Sequence, residues 1–260
     1  MGRRVNMELS QIDDIVKEIM ERTLAQKHQD AACVKAEAVN EANAAKGAFD
    51  IKLASAMEHS MIRPDATPAM VRRFCGEAVR YGFRNVSLAP CFVPLAAELL
   101  KGTGVRVSTV ICFPMGIAST ETKVFETREV IAQGAKELDL PINVGMLKAG
   151  ELKSVKADIE AVVKVAAGNA LVKVVVDLGQ LTEEEKIKAA IVAKLAGADF
   201  LKIAVTTRPV GVNAEDIRFF RQIVGPDMGL KADGGIKDYK AAKAVIEAGG
   251  TTIGASGSVK

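Results

Sequence analysis

The segment Gly197-Ala198-Asp199-Phe200-Leu201-Lys202-Ile203-Ala204-Val205 decides the fold. A tight Gly-Ala-Asp turn leads into a short apolar run with one charge, Lys202, in its middle. Period-2 alternation puts Phe200, Lys202 and Ala204 on one face and Leu201, Ile203 and Val205 on the other. An unpaired ammonium taken out of water is strongly disfavoured unless something compensates it. With the Leu201 face packed under helices, Lys202 points into whatever the sheet encloses.

Segments of this kind recur along the chain. Strand patterns fall at 53–58, 85–88, 105–113, 137–140, 172–177, 200–205, 229–232 and 251–254. Helical patterns lie between them at 69–81, 92–100, 120–133, 155–167, 183–195, 214–223 and 239–248. Strand followed by helix, repeated in this way, describes successive βα units. Together they reach the length of a closed (β/α)8 barrel. The eighth strand pattern runs almost to Lys260, so the eighth helix is expected to be absent or replaced. Ahead of the barrel, residues 10–28 carry an amphipathic stripe of Ile12, Ile15, Val16, Ile19, Met20 and Leu24, with Ser10 and Asp13 as a capping pair. Residues 31–46 read as a second, Ala-rich helix. The expected architecture is therefore α/β: a TIM barrel over 51–260 with an N-terminal helical extension over 1–50. One helix of the extension is expected to cover the place of the missing eighth helix.

Composition narrows the function. Of 260 residues 49% are hydrophobic but only 4% aromatic, with no Trp, so the core is built from Ala, Val, Ile and Leu, as buried parallel sheets require. A net charge of +3, with no basic run interleaved with aromatics, argues against nucleic acid as a partner. Cys33, Cys75, Cys91 and Cys112 form no CxxC pair, and His28 and His59 are the only histidines. That pattern fits reduced thiols in a cytoplasmic protein better than a disulfide framework or a zinc site. No apolar run reaches membrane-spanning length.

Barrel chemistry sits at the C-terminal ends of the strands. Those ends carry Glu58-His59-Ser60, Ser87, Cys112, Glu137 and Asp139 with Asn143, Lys173 and Asp177, Lys202, Lys231 with Asp233, and Ser256. Lys202 has two readings. It is a core lysine neutralised by a carboxylate, or an amine whose pKa is lowered by desolvation and by the second cation Lys231, able to attack a carbonyl and form a Schiff base. Asp139 would then be the counter-ion of the lysine pair or a proton shuttle. The Gly-rich turns around Gly234-Gly235 and Ser256-Gly257, after the last two strands, suit a phosphate oxyanion. Other groups read as structure: Asp65 and Thr67 as a turn and helix start, Thr120 and Glu121 as capping, Cys112 as core, and Glu58-His59-Ser60 as too close in sequence for a relay.

The ordered blocks Glu58–Thr67, Val110–Gly116, Glu137–Asp139 with Ile142–Gly145, Gly197–Lys202, Lys231–Ile236 and Ile253–Ser256 resemble the deoxyribose-phosphate aldolase family from about residue 50 onward. The resemblance implies a metal-free, cofactor-free class I aldolase that reversibly cleaves 2-deoxy-D-ribose 5-phosphate to acetaldehyde and D-glyceraldehyde 3-phosphate. Lys202 then matches the Schiff-base lysine, Lys231 the lysine beside it, Asp139 the proton-relaying acid and Lys173 a further lysine of the substrate site. It also implies a homo-oligomer. The chain departs from the family's pattern after Lys202, where Ile203, Ala204, Val205 and Thr206 stand in place of Thr-Ser-Thr-Gly, and at Asp233, where a small residue is usual. These departures mark a divergent member with altered specificity, expected to be weak on deoxyribose 5-phosphate, with Thr206, Thr207 and Arg208 standing in for lost phosphate donors. The competing expectations are a Schiff-base aldolase on a different sugar phosphate and a non-catalytic sugar-phosphate-binding paralogue.

Overall fold

A computed structural model describes residues 9–33, 50–205 and 211–255. Eight parallel strands close into one barrel in sequence order. They are β1 (Met57–Met61), β2 (Asn85–Leu88), β3 (Arg106–Val110), β4 (Glu137–Pro141), β5 (Leu171–Asp177), β6 (Phe200–Ala204), β7 (Gly229–Asp233) and β8 (Thr252–Ala255). The helices are α1 (Ile12–Cys33), α2 (Ile51–Ala54), α3 (Pro68–Tyr81), α4 (Val93–Leu99), α5 (Thr120–Ala132), α6 (Val144–Lys148), α7 (Leu152–Ala166), α8 (Glu183–Leu195), α9 (Ala214–Val224) and α10 (Tyr239–Glu247).

Alternation along β6 works as its sequence dictates. Leu201 and Ile203 are fully buried beneath the helical layer, while Lys202 turns into the barrel. The outward residues Val172, Val174 and Val176 of β5 and Leu138 and Leu140 of β4 are buried in the same way. Local chemistry starts the covering helices. Thr182 and Glu185 form a reciprocal capping box on α8, and Asn213 and Asp216 one on α9, each stopping exposed N–H groups from going unpaired. Thr67 caps α3, as the Asp65–Thr67 turn implies.

Two expectations give way. The first strand pattern, 53–58, is a helical turn, α2, followed by β1 three residues later; Asp50 caps that turn by accepting from Leu53 N at 3.0 Å, and the cap outweighs the apolar alternation. The amphipathic stripe at 10–28 does form a helix, but it begins at Ile12 after a 3-10 turn and continues to Cys33. Its apolar face, with Ile12 and Val16 buried, packs on α8, where Lys188 Nζ meets Asp13 at 3.4 Å. It does not cover the place of an eighth helix. Ahead of β1, the cap of the short α2 is tied to α10 by Tyr239 OH, which donates to Asp50 Oδ2 at 3.1 Å. The second expected helix, 31–46, lies outside the described residues beyond Cys33.

Candidate active site

Barrel register brings the charged inward residues into one centre. Lys202 stands beside Lys231 across β6 and β7, and Asp139 beside Lys173 across β4 and β5. Glu58, at the start of the inward face of β1, reaches the same space from the opposite wall. Asp139 is fully buried and bridges all three lysines: Oδ2 is 2.8 Å from Lys202 Nζ and 2.8 Å from Lys231 Nζ, and Oδ1 is 3.2 Å from Lys173 Nζ. Glu58 pairs with Lys231 and lies 2.8 Å from Lys173. Lys173 also meets Glu137 at 2.8 Å and Ser108 Oγ at 3.1 Å. Glu137 is in turn held by Arg84 at 3.1 Å and Arg106 at 3.2 Å, at the lower end of the barrel. The fourth carboxylate is Asp233, whose Oδ2 lies 2.5 Å from Lys202 Nζ and 3.8 Å from Lys231 Nζ.

This charge distribution overturns one expectation. Burial alone would push Lys202 down, but Asp139, Asp233 and Glu58 outweigh it and hold Lys202 well above the usual lysine range. The resting group is an ammonium, because the lysines face four carboxylates rather than the single Asp139 the sequence suggested. The carboxylates move the other way. Burial would raise Glu58, yet Lys173 and then Lys231 lower it to about 2. Asp139, likewise buried, is held well below the usual carboxylate range by Lys173, Lys202 and Lys231. Glu58, Asp139 and Asp233 place ligand atoms within 4.8 Å of one another, a set that would suit a cation, and the ammoniums of Lys202 and Lys231 already lie among them.

A cavity of about 980 Å³ opens at the C-terminal end of the strands. Lys202 lines it, whereas Lys173 and Lys231 are fully buried and do not. Lys173, expected among the substrate-binding groups, therefore meets Glu58, Glu137 and Asp139 and does not reach the cavity. Gly234 and Gly235 do line it, with φ of +101° and +79°. A Cβ on Gly235 would stand 2.3 Å from Gly211 Cα, so both the left-handed turn and the close approach require glycine. Thr206, Ser256 and Gly257, the remaining candidates for substrate binding, lie outside the described residues. Of the departures after Lys202, Ile203 faces the helices, so only Ala204 and Val205 among the described ones alter the cavity wall.

Several sequence assignments are corrected. Asn143 caps α6 by accepting from Met146 N at 3.2 Å. Ser119 rather than Thr120 caps α5; the Thr120 hydroxyl donates to Asp158 at 2.8 Å. Cys112 is not in the strand core but just past β3, at φ +48°, with its N–H donated to Glu126 at 2.7 Å. Glu58, set aside in the sequence as part of Glu58-His59-Ser60, and Glu137, given no role there, both pair with the buried lysines. The signal for them was the same alternation that singled out Lys202: Glu58 with Ser60, and Glu137 with Asp139, are same-face pairs in their strands.

A closed parallel barrel with a buried lysine–carboxylate centre beneath a cavity at its C-terminal rim is a TIM barrel whose candidate site lies at the end of the strands where such barrels carry their chemistry. The comparisons give the family. The profile of the DeoC/LacD family aldolases matches residues 54–259, so the chain belongs to that family of aldehyde-lyases. It is 48% identical over 207 residues to a deoxyribose-phosphate aldolase of Geobacillus sp. (strain WCH70), covering 80% of this chain and 93% of that one. It is 47% identical over 208 residues to one from Clostridium perfringens (strain ATCC 13124), with 80% and 93% covered. The tetrameric deoxyribose phosphate aldolase structure from Aeropyrum pernix superposes with a TM-score of 0.73 at 30% identity, over 80% of this chain and 88% of that one.

Proposed function

We propose that this chain is a class I aldolase that reversibly cleaves 2-deoxy-D-ribose 5-phosphate to acetaldehyde and D-glyceraldehyde 3-phosphate through a Schiff base on Lys202. The observation that carries the reading is that Lys202 alone, of the three buried lysines that meet Asp139, opens onto the cavity. The names of the relatives at 47–48% identity support the substrate.

The arrangement suits each step. Lys202 Nζ attacks the aldehyde carbon of the open-chain sugar, and loss of water leaves an iminium. The iminium draws in the electrons of the C2–C3 bond as the C3 hydroxyl gives its proton to solvent water entering the open cavity, releasing glyceraldehyde 3-phosphate and leaving an enamine. Protonation at C2 and hydrolysis then release acetaldehyde. Asp139 orients Lys202 and matches the positive charge that the nitrogen keeps as ammonium and as iminium. Lys231 and Lys173 anchor Asp139 from the buried side, which keeps its carboxylate in place. Gly234 and Gly235 offer the backbone approach a phosphate needs, and Lys237 on the same cavity wall supplies positive charge. Residues 51–260 are the catalytic barrel in this reading and 1–50 an appendage; a homo-oligomer belongs to it as well, in line with the tetramer from Aeropyrum pernix.

One observation favours a second reading, cleavage of a different sugar phosphate. Asp233 puts a carboxylate and Ala204 a methyl on the cavity wall where the family resemblance leads one to expect a small residue and a hydroxyl. The test is borohydride trapping with acetaldehyde, beside turnover of 2-deoxyribose 5-phosphate. The proposal expects a mass increment on the peptide bearing Lys202 and release of acetaldehyde, both lost in Lys202→Met. An adduct without turnover of that sugar selects the second reading. The absence of an adduct at Lys202 with any carbonyl overturns both.

A further inference from the structure

The resting ammonium leaves a step unprovided for. Lys202 must lose protons before its nitrogen can bond to carbon, and the carbonyl oxygen must gain them to leave as water. Asp139 is badly placed for that traffic: it is fully buried, does not line the cavity, and is held by three ammoniums. Asp177 lines the cavity, but its carboxylate is turned to its own loop, accepting from Gly179 N at 3.0 Å and Gln180 Nε2 at 3.2 Å.

Asp233 meets both requirements. Its Oδ2 lies 2.5 Å from Lys202 Nζ, its side chain is 23% exposed where that of Lys202 is 5%, and it lines the cavity. Room for it is built into the neighbouring strand. A Cβ on Gly254 would come within 2.8–3.0 Å of the Asp233 carboxyl atoms, so the glycine vacates the space in which the carboxylate lies against β8. Among the described residues, the charges around it are Lys202 from β6, Lys231 from β7, and Glu58 and Asp139 from β1 and β4.

We propose, resting on the Schiff-base reading above, that Asp233 is a catalytic acid–base residue that carries protons from Lys202 to the substrate oxygen on the cavity side. The ammonium has three protons. The first passes to Asp233, and the freed nitrogen pair forms the N–C bond while the carbonyl π pair moves to oxygen. Asp233 returns that proton to the oxygen, giving a carbinolamine. The second proton takes the same route to the carbinolamine hydroxyl, which departs as water with the C–O pair as the nitrogen pair closes the C=N bond. The iminium keeps the third proton and the positive charge, and Asp233 ends as the carboxylate it began as, still paired with the cationic nitrogen.

The experiment is a time course of borohydride trapping with acetaldehyde, read by mass on the Lys202 peptide, for the wild type, Asp233→Asn and Asp233→Ala, with circular dichroism to verify that each variant is folded. Asn keeps the shape of the carboxylate; Ala opens a space in which added formate can act as the carboxylate. Loss of a positioned acid–base group slows the reaction by roughly 10²–10⁴-fold, and that slowing is expected in both variants. Formate is expected to restore trapping in Asp233→Ala and not in Asp233→Asn. Trapping in a folded Asn variant at the wild-type rate overturns the proposal. So does faster trapping, which would mean that the carboxylate only holds Lys202 as an ammonium. A wild type that forms no adduct at Lys202 fails at the earlier step and removes the aldolase reading itself, an outcome distinct from adducts that form at equal rates.

Discussion

Glu58→Gln tests the electrostatic description of the barrel interior most directly. The substitution keeps the side-chain shape and removes one charge. In the structure that charge faces Lys231 and, at 2.8 Å, Lys173, all three groups being fully buried. Lys173 would keep Glu137 and Asp139, and Lys231 would keep Asp139, but the lysines would lose one of their four carboxylates. Breaking a buried pair by removing one partner costs about 3–5 kcal/mol, which in a domain of this size lowers the melting temperature by roughly 6–20 °C. Melting followed by circular dichroism at pH 7 measures it. Adding Lys173→Met removes the cation that Glu58 leaves short, while Arg84 and Arg106 still hold Glu137. The double variant is therefore expected to be less destabilised than the sum of the two single ones, by about 0.5–3 kcal/mol. A drop below about 2 °C for Glu58→Gln, on the same scale of degrees per kcal/mol, would refute the network. Strict additivity in the double variant would refute the pairing of Glu58 with Lys173.

Acid stability follows from the same centre. Glu58 falls from an ordinary 4.5 to about 2, and Asp139 shifts in the same direction. Between these values the unfolded chain binds the proton and the folded one does not, so the stabilisation is complete above pH 4.5 and is lost as the pH falls toward 2. Melting curves across that window are expected to fall less steeply for Glu58→Gln than for the wild type; parallel curves would contradict the shift. At the cavity rim, Gly235→Ala forces a Cβ against Gly211 on top of a left-handed backbone, whereas Gly150→Ala meets only the backbone penalty at φ +77°. The backbone part costs about 1–3 kcal/mol, so Gly235→Ala should exceed the Gly150→Ala control in denaturant melts and raise KM for the phosphorylated substrate. Burial, helped by Glu126, pushes the Cys112 thiol up to about 11, while Cys91 is exposed. Iodoacetamide near neutral pH is expected to alkylate Cys91 first, and peptide mapping that finds Cys112 modified first would count against that geometry.

The barrel was readable in the sequence because its strands are bounded by local chemistry. The Gly197–Asp199 turn, the outward Leu201 and Ile203, and the capping residues of the helices each specify one element without help from distant parts of the chain. The first strand was misread for the complementary reason: Asp50 and its cap turn residues 51–54 into a helical turn, and an apolar alternation carries no information about that competition. Lys202, Lys231 and Asp139 stood out as charges in apolar strands. Glu58 did not, because an acid beside His59 and Ser60 at the edge of a loop looks ordinary until the barrel closes and brings Lys173 and Lys231 to it. The position of the N-terminal helix was likewise illegible. Its stripe fixes which face is buried, but nothing in that stripe distinguishes α8 from an open place elsewhere on the barrel.

The division of labour between the two aspartates follows from closure as well. A carboxylate whose oxygens are shared among Lys173, Lys202 and Lys231 is a good anchor and a poor proton acceptor, because each cation stabilises its ionised form. Of the two roles the sequence left open for Asp139, counter-ion of the lysine pair or proton shuttle, the proposed route uses the first: its carboxylate lies 2.8 Å from Lys202 Nζ and would match that charge before and after the imine forms. The proposed route gives proton transfer to a carboxylate with fewer cations beside it and open access, and on the cavity side of Lys202 among the described residues that is Asp233. The aspartate that stands where the family resemblance leads one to expect a small residue thus lies 2.5 Å from the Lys202 nitrogen, which must lose a proton before it can act as a nucleophile.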